Sequence, residues 1–355
     1  MFQFLLKRSF YGVLVLLGVV LIVFFLFNVL PVNSARMTLG QRADVASVEI
    51  IEKELGLNLP LHLRLLKYVS ELSPIWVHEA TEAEQERLSY SPLFHIGENS
   101  VLAWKAPYMG RSYQTRRLVS EILIEKIPPT LILAFTAILF AAIVGIILGV
   151  IAAINHNKFI DNTAVTLSVV GISQPSYFSG IILALVFGFL LHDYTGLNHV
   201  GALFELNDYG EEVINWRNLI LPAIALGIRP VAIITQLTRS SMLDVLSQDY
   251  VRTARAKGLS GNIVLFKHAL RNALNPVVTS VSGWFASLLA GAYFVEIIFD
   301  FKGLGYETVK ALLNFDFPVA MGSVLFTAVI FVLVNIFVDL IYALLDPRVS
   351  VGDEG

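Results

Sequence analysis

Four polar residues sit in or at the end of long apolar runs: Arg229 beside Pro230, Glu296, and Asn335 with Asp339. A charge at membrane depth costs at least about 2.5–3.5 kcal/mol on insertion scales, so each is a candidate for function. Arg229 can line a path through the bilayer and meet the carboxylate of a passing solute. The alternative is an internal pair, Arg229 with Asp339 or with Glu296, that holds helices together. Asn335 and Asp339 are one helical turn apart and share a face. A second group is basic rather than buried. It lies in "SQDYVRTARAKGLSGNIVLFKHALRNALNP", Ser247 to Pro276, a polar stretch between strongly apolar runs. Other chemistries find little footing. There is no cysteine, which excludes thiolate catalysis, cysteine-ligated metal and disulfides. "FKGLGYET" lacks the Gly-Lys-Ser/Thr ending of a nucleotide-binding Walker loop. No paired carboxylates, metal-spaced histidines or Ser/His/Asp set stands out, and the seven histidines are scattered as structural or solvent-facing residues. Catalysis by this chain is therefore not expected.

The elements that must position these residues are membrane helices. The chain has 355 residues, 56% hydrophobic and 15% charged. Soluble domains are about 45–50% apolar and about 25% charged. A formal net charge of −3 offers nothing to nucleic acid. Lys7 and Arg8 precede an apolar run from Phe10 to Leu30, longer than the core of a secretory signal, which reads as a retained spanning helix. Residues 31–129 are mixed and polar and read as one extracytoplasmic region of mainly helical structure. Within it Ile50, Ile51, Leu55 and Leu57 have helical spacing before a break at Pro60, and "HEATEAEQER" reads as a solvated acidic helix face. Five more spans follow: Thr130–Ala153, about 163–191 with Pro175 inside it, about 219–242, about 277–299 and about 319–345. The third exceeds what a bilayer needs, and a tilt or a kink at Pro175 absorbs the excess. The expected fold is an all-α integral membrane protein with six transmembrane helices and both termini in the cytoplasm. Positive charge supports that orientation. Arg239, Arg252, Arg255, Lys257, Lys267 and Arg271 cluster on the inner side, whereas the short outer loop 192–218 carries Arg217 against Asp193, Glu205, Asp208, Glu211 and Glu212. Glycines 145, 149, 171, 180, 283 and 291 lie in spans, where small residues let helices approach, and are expected to pack against a partner subunit.

The basic segment reads as a helix–turn–helix on the inner membrane surface. Asp249 suits an N-cap for a helix over Tyr250–Lys257, Gly258 suits its left-handed end, and Ser260 suits the cap of a second helix. In that second helix Ile263, Phe266, Leu270 and Ala273 fall on one side. An anchor on anionic lipid is the simplest role for such charge. A lipid anchor needs basic residues, however, and no particular order of Ala, Gly and Leu.

The order present here resembles the cytoplasmic "EAA" loop of bacterial ABC importer permeases, and most closely that of the dipeptide/oligopeptide/nickel family. "DYVRTARAKGL" and "HALRNAL" carry the likeness, with Arg252, Thr253 and Ala254 in the Glu-Ala-Ala places and Gly258 as the loop glycine. "MGRSYQTRRLV", "IPPTLIL", "GISQPSYFSGIIL", "LTRSSMLDVLSQDY" and "VDLIYALLDPRV" extend it over about 1–35 and 109–349. The chain departs from the family at "LPVNSA", at "FKGLG" with Lys302 in a proline's place, and over about 74–107. The resemblance implies an inner-membrane permease subunit of the first, B-like type. Residues 1–30 form an N-terminal span, 31–129 an extracytoplasmic region with an insert at about 74–107, and 130–349 a core permease domain with a coupling loop at 243–276. It implies ATPase-coupling roles for Asp249, Tyr250, Arg252, Thr253, Ala254, Lys257, Gly258 and Leu259, and leaves Arg229, Asn335 and Asp339 as translocation-path candidates. The implied partners are a second, non-identical permease, two ABC ATPases that bind ATP and Mg, an extracytoplasmic solute-binding protein, and the lipid bilayer. The cargo it implies is di- or oligopeptide, with nickel or another small solute as the alternative. A self-contained secondary transporter would show internal repeats, and none is evident.

Overall fold

Backbone amides have no water to bond in a bilayer core, so apolar runs of this length must close their hydrogen bonds internally as helices. The computed structural model describes residues 2–29, 59–97 and 99–345. The helical spacing expected around Ile50 to Leu57 lies outside the described residues. In chain order the elements are α1 (Phe2–Val29), α2 (Leu61–Leu72), β1 (Ile75–Glu79), α3 (Glu82–Leu88), β2 (Ser91–Ile96), β3 (Ser100–Trp104), α4 (Val119–Ile154), α5 (Phe159–Ser173) and α6 (Ser176–Leu183). Then come a π-helical stretch (Ala184–Leu190), α7 (His192–Thr195), β4 (Phe204–Leu206), β5 (Glu212–Ile214), α8 (Arg217–Leu246), α9 (Asp249–Ala256) and α10 (Gly261–Ile263). A second π-helical stretch (Val264–Leu270), α11 (Arg271–Ile298), α12 (Leu304–Leu313) and α13 (Phe317–Leu345) complete the described chain. Among the described residues, four stretches, Leu6–Phe27, Val119–Ile154, Arg217–Leu246 and Phe317–Leu340, are long and apolar enough to span singly, and two bent pairs bring the number to as many as six.

The third expected span is broken rather than kinked. Phe159–Ser173 and Ser176–Leu190 meet at 105°. Pro175 pushes the residue before it out of the helical region, and Gln174 duly sits at φ −86°, ψ 133°. Pro175 itself is extended at ψ 141°, so two consecutive non-helical residues turn the chain.

The chain divides into two compact units. One comprises chiefly Ile127–Tyr306 and is organised around α8. Leu221, Ala225, Leu226, Ala232, Ile234 and Met242 are all buried on it. Small residues allow its neighbours close. A Cβ added to Gly149 would stand 2.5 Å from the Thr238 Cβ and 2.7 Å from the Thr235 carbonyl oxygen. Gly145 meets Ile234, and Gly171 meets Ala232, in the same way. These glycines therefore serve packing within the chain, not against a partner as expected. Gly283, by contrast, faces open space. Gly149→Ala is expected to reduce the folded, detergent-extractable fraction through about 1–3 kcal/mol of overpacking. Gly283→Ala should leave it unchanged, with gel-filtration yield as the measurement.

The other unit comprises Leu6–Lys126 with Glu307–Ile330. Among its described polar residues, helix is mixed with a sheet that the sequence reading does not anticipate. Residues 75–104 form a three-stranded antiparallel sheet in the order β1-β3-β2, with Val77 opposite Leu102 and Phe94 opposite Leu102 on its other side. The alternation in "IWVHE" and "SVLAW", rich in branched and aromatic residues, has the two-residue period of a half-buried strand. Val101 and Ala103 bury one face against Leu88 and Tyr90. The acidic run splits: His78 and Glu79 end β1, and Thr81 caps α3 by accepting a bond from the Glu84 amide at 3.3 Å. A buried carboxylate fastens the start of α13 to the loop before α4. Asp316 accepts from the Ser112 hydroxyl at 2.5 Å and from the Tyr113 amide at 3.0 Å.

His78 is buried and stacked on Tyr90. Burial and the nearby Lys105 ammonium hold its pKa below the ordinary imidazole value. The unfolded chain takes up a proton here near pH 6.5 and the folded module does not, so the module loses stability as pH falls through that value. Amide-exchange protection over 75–104 should therefore drop between pH 7.5 and 5.5 in the wild type. It should drop less in His78→Phe.

Candidate functional site

The candidate site is α9 and the base that carries it. Val251 and Ala254, three apart, turn one side of α9 inward, and both are buried. They pack with Val264 beneath Val245 and Leu246 at the end of α8. The rest of α9 and the turn after it stand in the open. The Arg252 and Asp249 side chains are 72% and 96% exposed, and their pair is long at 3.6 Å. Thr253, Lys257, Gly258 and Leu259 are exposed as well. Ala254 is buried and is part of what holds this exposed surface in place. Tyr250 is exposed and tied down, its hydroxyl accepting from the Asn272 side chain at 2.8 Å.

Local rules explain the shape. Gln248, not Asp249, is the N-cap: it is extended at ψ 148°, and its carbonyl accepts from the Val251 and Arg252 amides. Asp249 instead occupies the first turn, where the helix dipole favours a carboxylate. Gly258 adopts φ +79°, and its amide donates to the Arg255 carbonyl at 2.9 Å. That is the left-handed ending glycine tolerates at least cost.

The second half of the segment departs from the expected helix. Ile263 and Phe266, expected on the buried side, are 44% and 58% exposed. Ala273 is buried as expected, and Val264 and Ala269 are buried in place of the other two. The cause is the π-helical winding of Val264–Leu270. A π-helix brings residues five apart onto one face, and Val264 and Ala269 are five apart. Ala269 and Ala273 then join Val150, Ala153 and Met242 in a cluster that ties this segment to the C-terminal ends of α4 and α8. An exposed, charged knob thus stands on a buried, apolar base.

The residues at membrane depth have different neighbours. The Arg229 guanidinium lies over the Trp284 ring, 5.7 Å from its centroid. Glu296 is fully buried elsewhere, accepting from the Thr130 hydroxyl at 2.6 Å and the Tyr306 amide at 2.9 Å. The Leu304 amide in turn donates to Thr130 Oγ1 at 2.8 Å. Glu296 and Thr130 thus cap the start of α12, and Glu296 is not the partner of Arg229. The Asn335 amide donates along its own helix to the Phe331 carbonyl at 2.7 Å. Asp339, one turn on, is half-buried.

Sequence reasoning passed over one buried ion pair. Asp161, at the start of α5, is gripped at both oxygens by Arg239 of α8, with Nη2 to Oδ2 at 2.7 Å. The one available signal was a lone acid at the start of an apolar run.

Comparison with known proteins identifies the architecture. Residues 145–351 match the family described as "Binding-protein-dependent transport system inner membrane component", and residues 1–87 match that family's N-terminal component. The chain belongs to this family of permeases. It is the permease subunit of an ABC importer, a multi-pass protein of the bacterial inner membrane, and not itself an enzyme. This permease is 34% identical over 349 residues to the glutathione transport system permease protein GsiC of Salmonella paratyphi A, covering 98% of this chain and 99% of that one. It is 35% identical over 369 residues to the "Probable D,D-dipeptide transport system permease protein DdpB" of Escherichia coli K12, covering 99% and 98%. Its fold is that of a chain in the inward-facing MetNI methionine ABC transporter, with TM-score 0.52 and 15% identity over 64% of this permease and 97% of that chain. Such permeases work in membrane-embedded complexes with ATPase and binding-protein partners.

Proposed function

We propose that this permease forms half of the pore of a peptide importer, beside a second, non-identical permease. Six spans carry it, with both termini in the cytoplasm, if each bent helix pair counts as one span. Residues 1–30 supply the first span, 31–129 the extracytoplasmic region and 130–349 the core. The observation that carries the reading is α9: a short charged helix held by two buried residues, with its remaining surface free for an ATPase to grip. Asp249, Tyr250, Arg252, Thr253, Lys257, Gly258 and Leu259 make or shape that surface, and Ala254 seats it. Closure of the ATPases on ATP pushes α9, and the spans switch the pore from one side to the other. ATP and Mg are held by those partners.

The named cargoes of the two relatives, glutathione and a D,D-dipeptide, are small peptidic solutes that carry carboxylates, which favours a short peptide here. Arg229 is exposed, and among the described residues its charge rests on an aromatic face. That leaves the guanidinium able to meet a solute carboxylate, with Asn335 and Asp339 as further path residues. Uptake of labelled dipeptide, glutathione and nickel by the reconstituted complex tests the reading. Peptidic cargo alone is expected to enter. Arg229→Gln is expected to cut that uptake about tenfold or more, since a lost charge-assisted bond is worth about 1.5–3 kcal/mol. Normal uptake with a lower melting temperature would remove Arg229 from the path.

A further inference from the structure

The inner end of α5 has little to hold it. Of its fifteen residues, Asp161, Ser168 and Gly171 are buried. In its first turn Phe159 is 83% and Ile160 48% exposed, so the Asp161 carboxylate is the one side chain there that turns inward. Its side chain is 1% exposed, that of Arg239 is 23% exposed, and the guanidinium meets both carboxylate oxygens. The loop before α5 closes on the same group. The Asn157 amide donates to Asp161 Oδ2 at 2.9 Å, and the His156 ring nitrogen stands 3.2 Å from that oxygen. Arg239 lies two turns before the end of α8, from which α9 emerges. Between Arg239 and α9, Met242, Val245 and Leu246 bind α8 to the base of the coupling segment. A two-pronged Arg–carboxylate contact fixes direction as well as distance.

We propose that the Asp161–Arg239 pair is a positioning link that fastens the inner end of α5 to the foot of α8, so that displacement of α9 is carried into α5 and its bend with α6. This rests on the reading of α9 as the ATPase-gripped element. The pair stays closed while α8 and α9 move. Beyond the pair, α5 packs along α8, with Gly171 against Ala232 nearer the bend. Without the link, α9 and α8 still move with the ATPases, but α5 follows poorly. Hydrolysis and transport then come apart.

The test is the whole complex reconstituted in vesicles with its solute-binding protein, with ATP hydrolysis and solute uptake measured in the same preparation. Wild type must first show uptake that depends on ATP; failure at that point sinks the reading of α9, not the link. Asp161→Asn and Arg239→Gln are expected to keep hydrolysis within twofold of wild type while uptake per ATP falls at least fivefold. Arg239→Lys, which keeps the charge without the two-pronged grip, should fall between. The double variant Asp161→Asn with Arg239→Gln leaves no unpaired buried charge and should not be worse than either single change. A purely structural role would lower assembly, hydrolysis and uptake together with their ratio unchanged, and that result overturns the proposal. If the Asn and Gln variants do not assemble, Arg239→Lys decides: a wild-type ratio overturns the link, and a lowered ratio supports it.

Discussion

A complex carrying Gly258→Pro in this permease is expected to lose ATP-driven uptake, with insertion into the membrane intact. Gly258 sits at φ +79°, and its amide closes the end of α9 by donating to Arg255 at 2.9 Å. Proline holds φ near −65° and has no amide hydrogen, so it can neither adopt the turn nor make the bond. The exposed turn after α9, Lys257 to Leu259, must then leave its place. A Cβ at Gly258 meets nothing within 4 Å, so Gly258→Ala carries only the conformational penalty of about 1–2 kcal/mol. Alanine should therefore slow uptake where proline abolishes it. Arg252→Glu reverses a 72% exposed charge without touching the base, and should release the ATPases while the permease stays folded. Co-purification of the ATPases with each variant is the measurement. Full retention and full uptake with Gly258→Pro and with Arg252→Glu would remove α9 from the coupling role.

The second large effect is at Glu296. Glu296→Ala is expected to prevent recovery of folded permease. The carboxylate accepts from Thr130 at 2.6 Å and from the Tyr306 amide at 2.9 Å, in a place with no access to water. Alanine leaves those donors buried and unsatisfied, at about 1–3 kcal/mol each. Glu296→Gln keeps one acceptor oxygen and should be recovered at intermediate yield. Gly303 presses against the same carboxylate and Thr130, so Gly303→Ala should repeat the alanine defect. Extracted yield and thermal unfolding in detergent report all three. Wild-type yield for Glu296→Ala would show that the cap contributes nothing.

Local chemistry was the legible part. Apolar runs marked the long apolar helices, Gly258 marked the end of α9, and the order of residues around Arg252, Thr253 and Ala254 marked the family. Pro175 marked a disturbance, but not its size, because a kink and a 105° break begin from the same residue. A 3.6-residue period places Leu270 and Ala273 correctly but not Ile263 and Phe266, because the stretch is wound as a π-helix. The sheet at 75–104 was missed because its strands are short and an acidic helix interrupts them. The polar knots were out of reach for a different reason. Thr130 and Glu296 are 166 residues apart, Asp161 and Arg239 78, Ser112 and Asp316 204. No local spacing connects such partners. Glu296 drew notice as a charge at depth, yet its role as a helix cap depends on how α12 folds back.

The most direct measurement is solute uptake into vesicles that hold this permease with and without its ATPase partners. Uptake is expected only when the second permease, the ATPases, ATP and the solute-binding protein are all present. Accumulation of solute by this chain alone, with no ATPase in the membrane, would contradict the account.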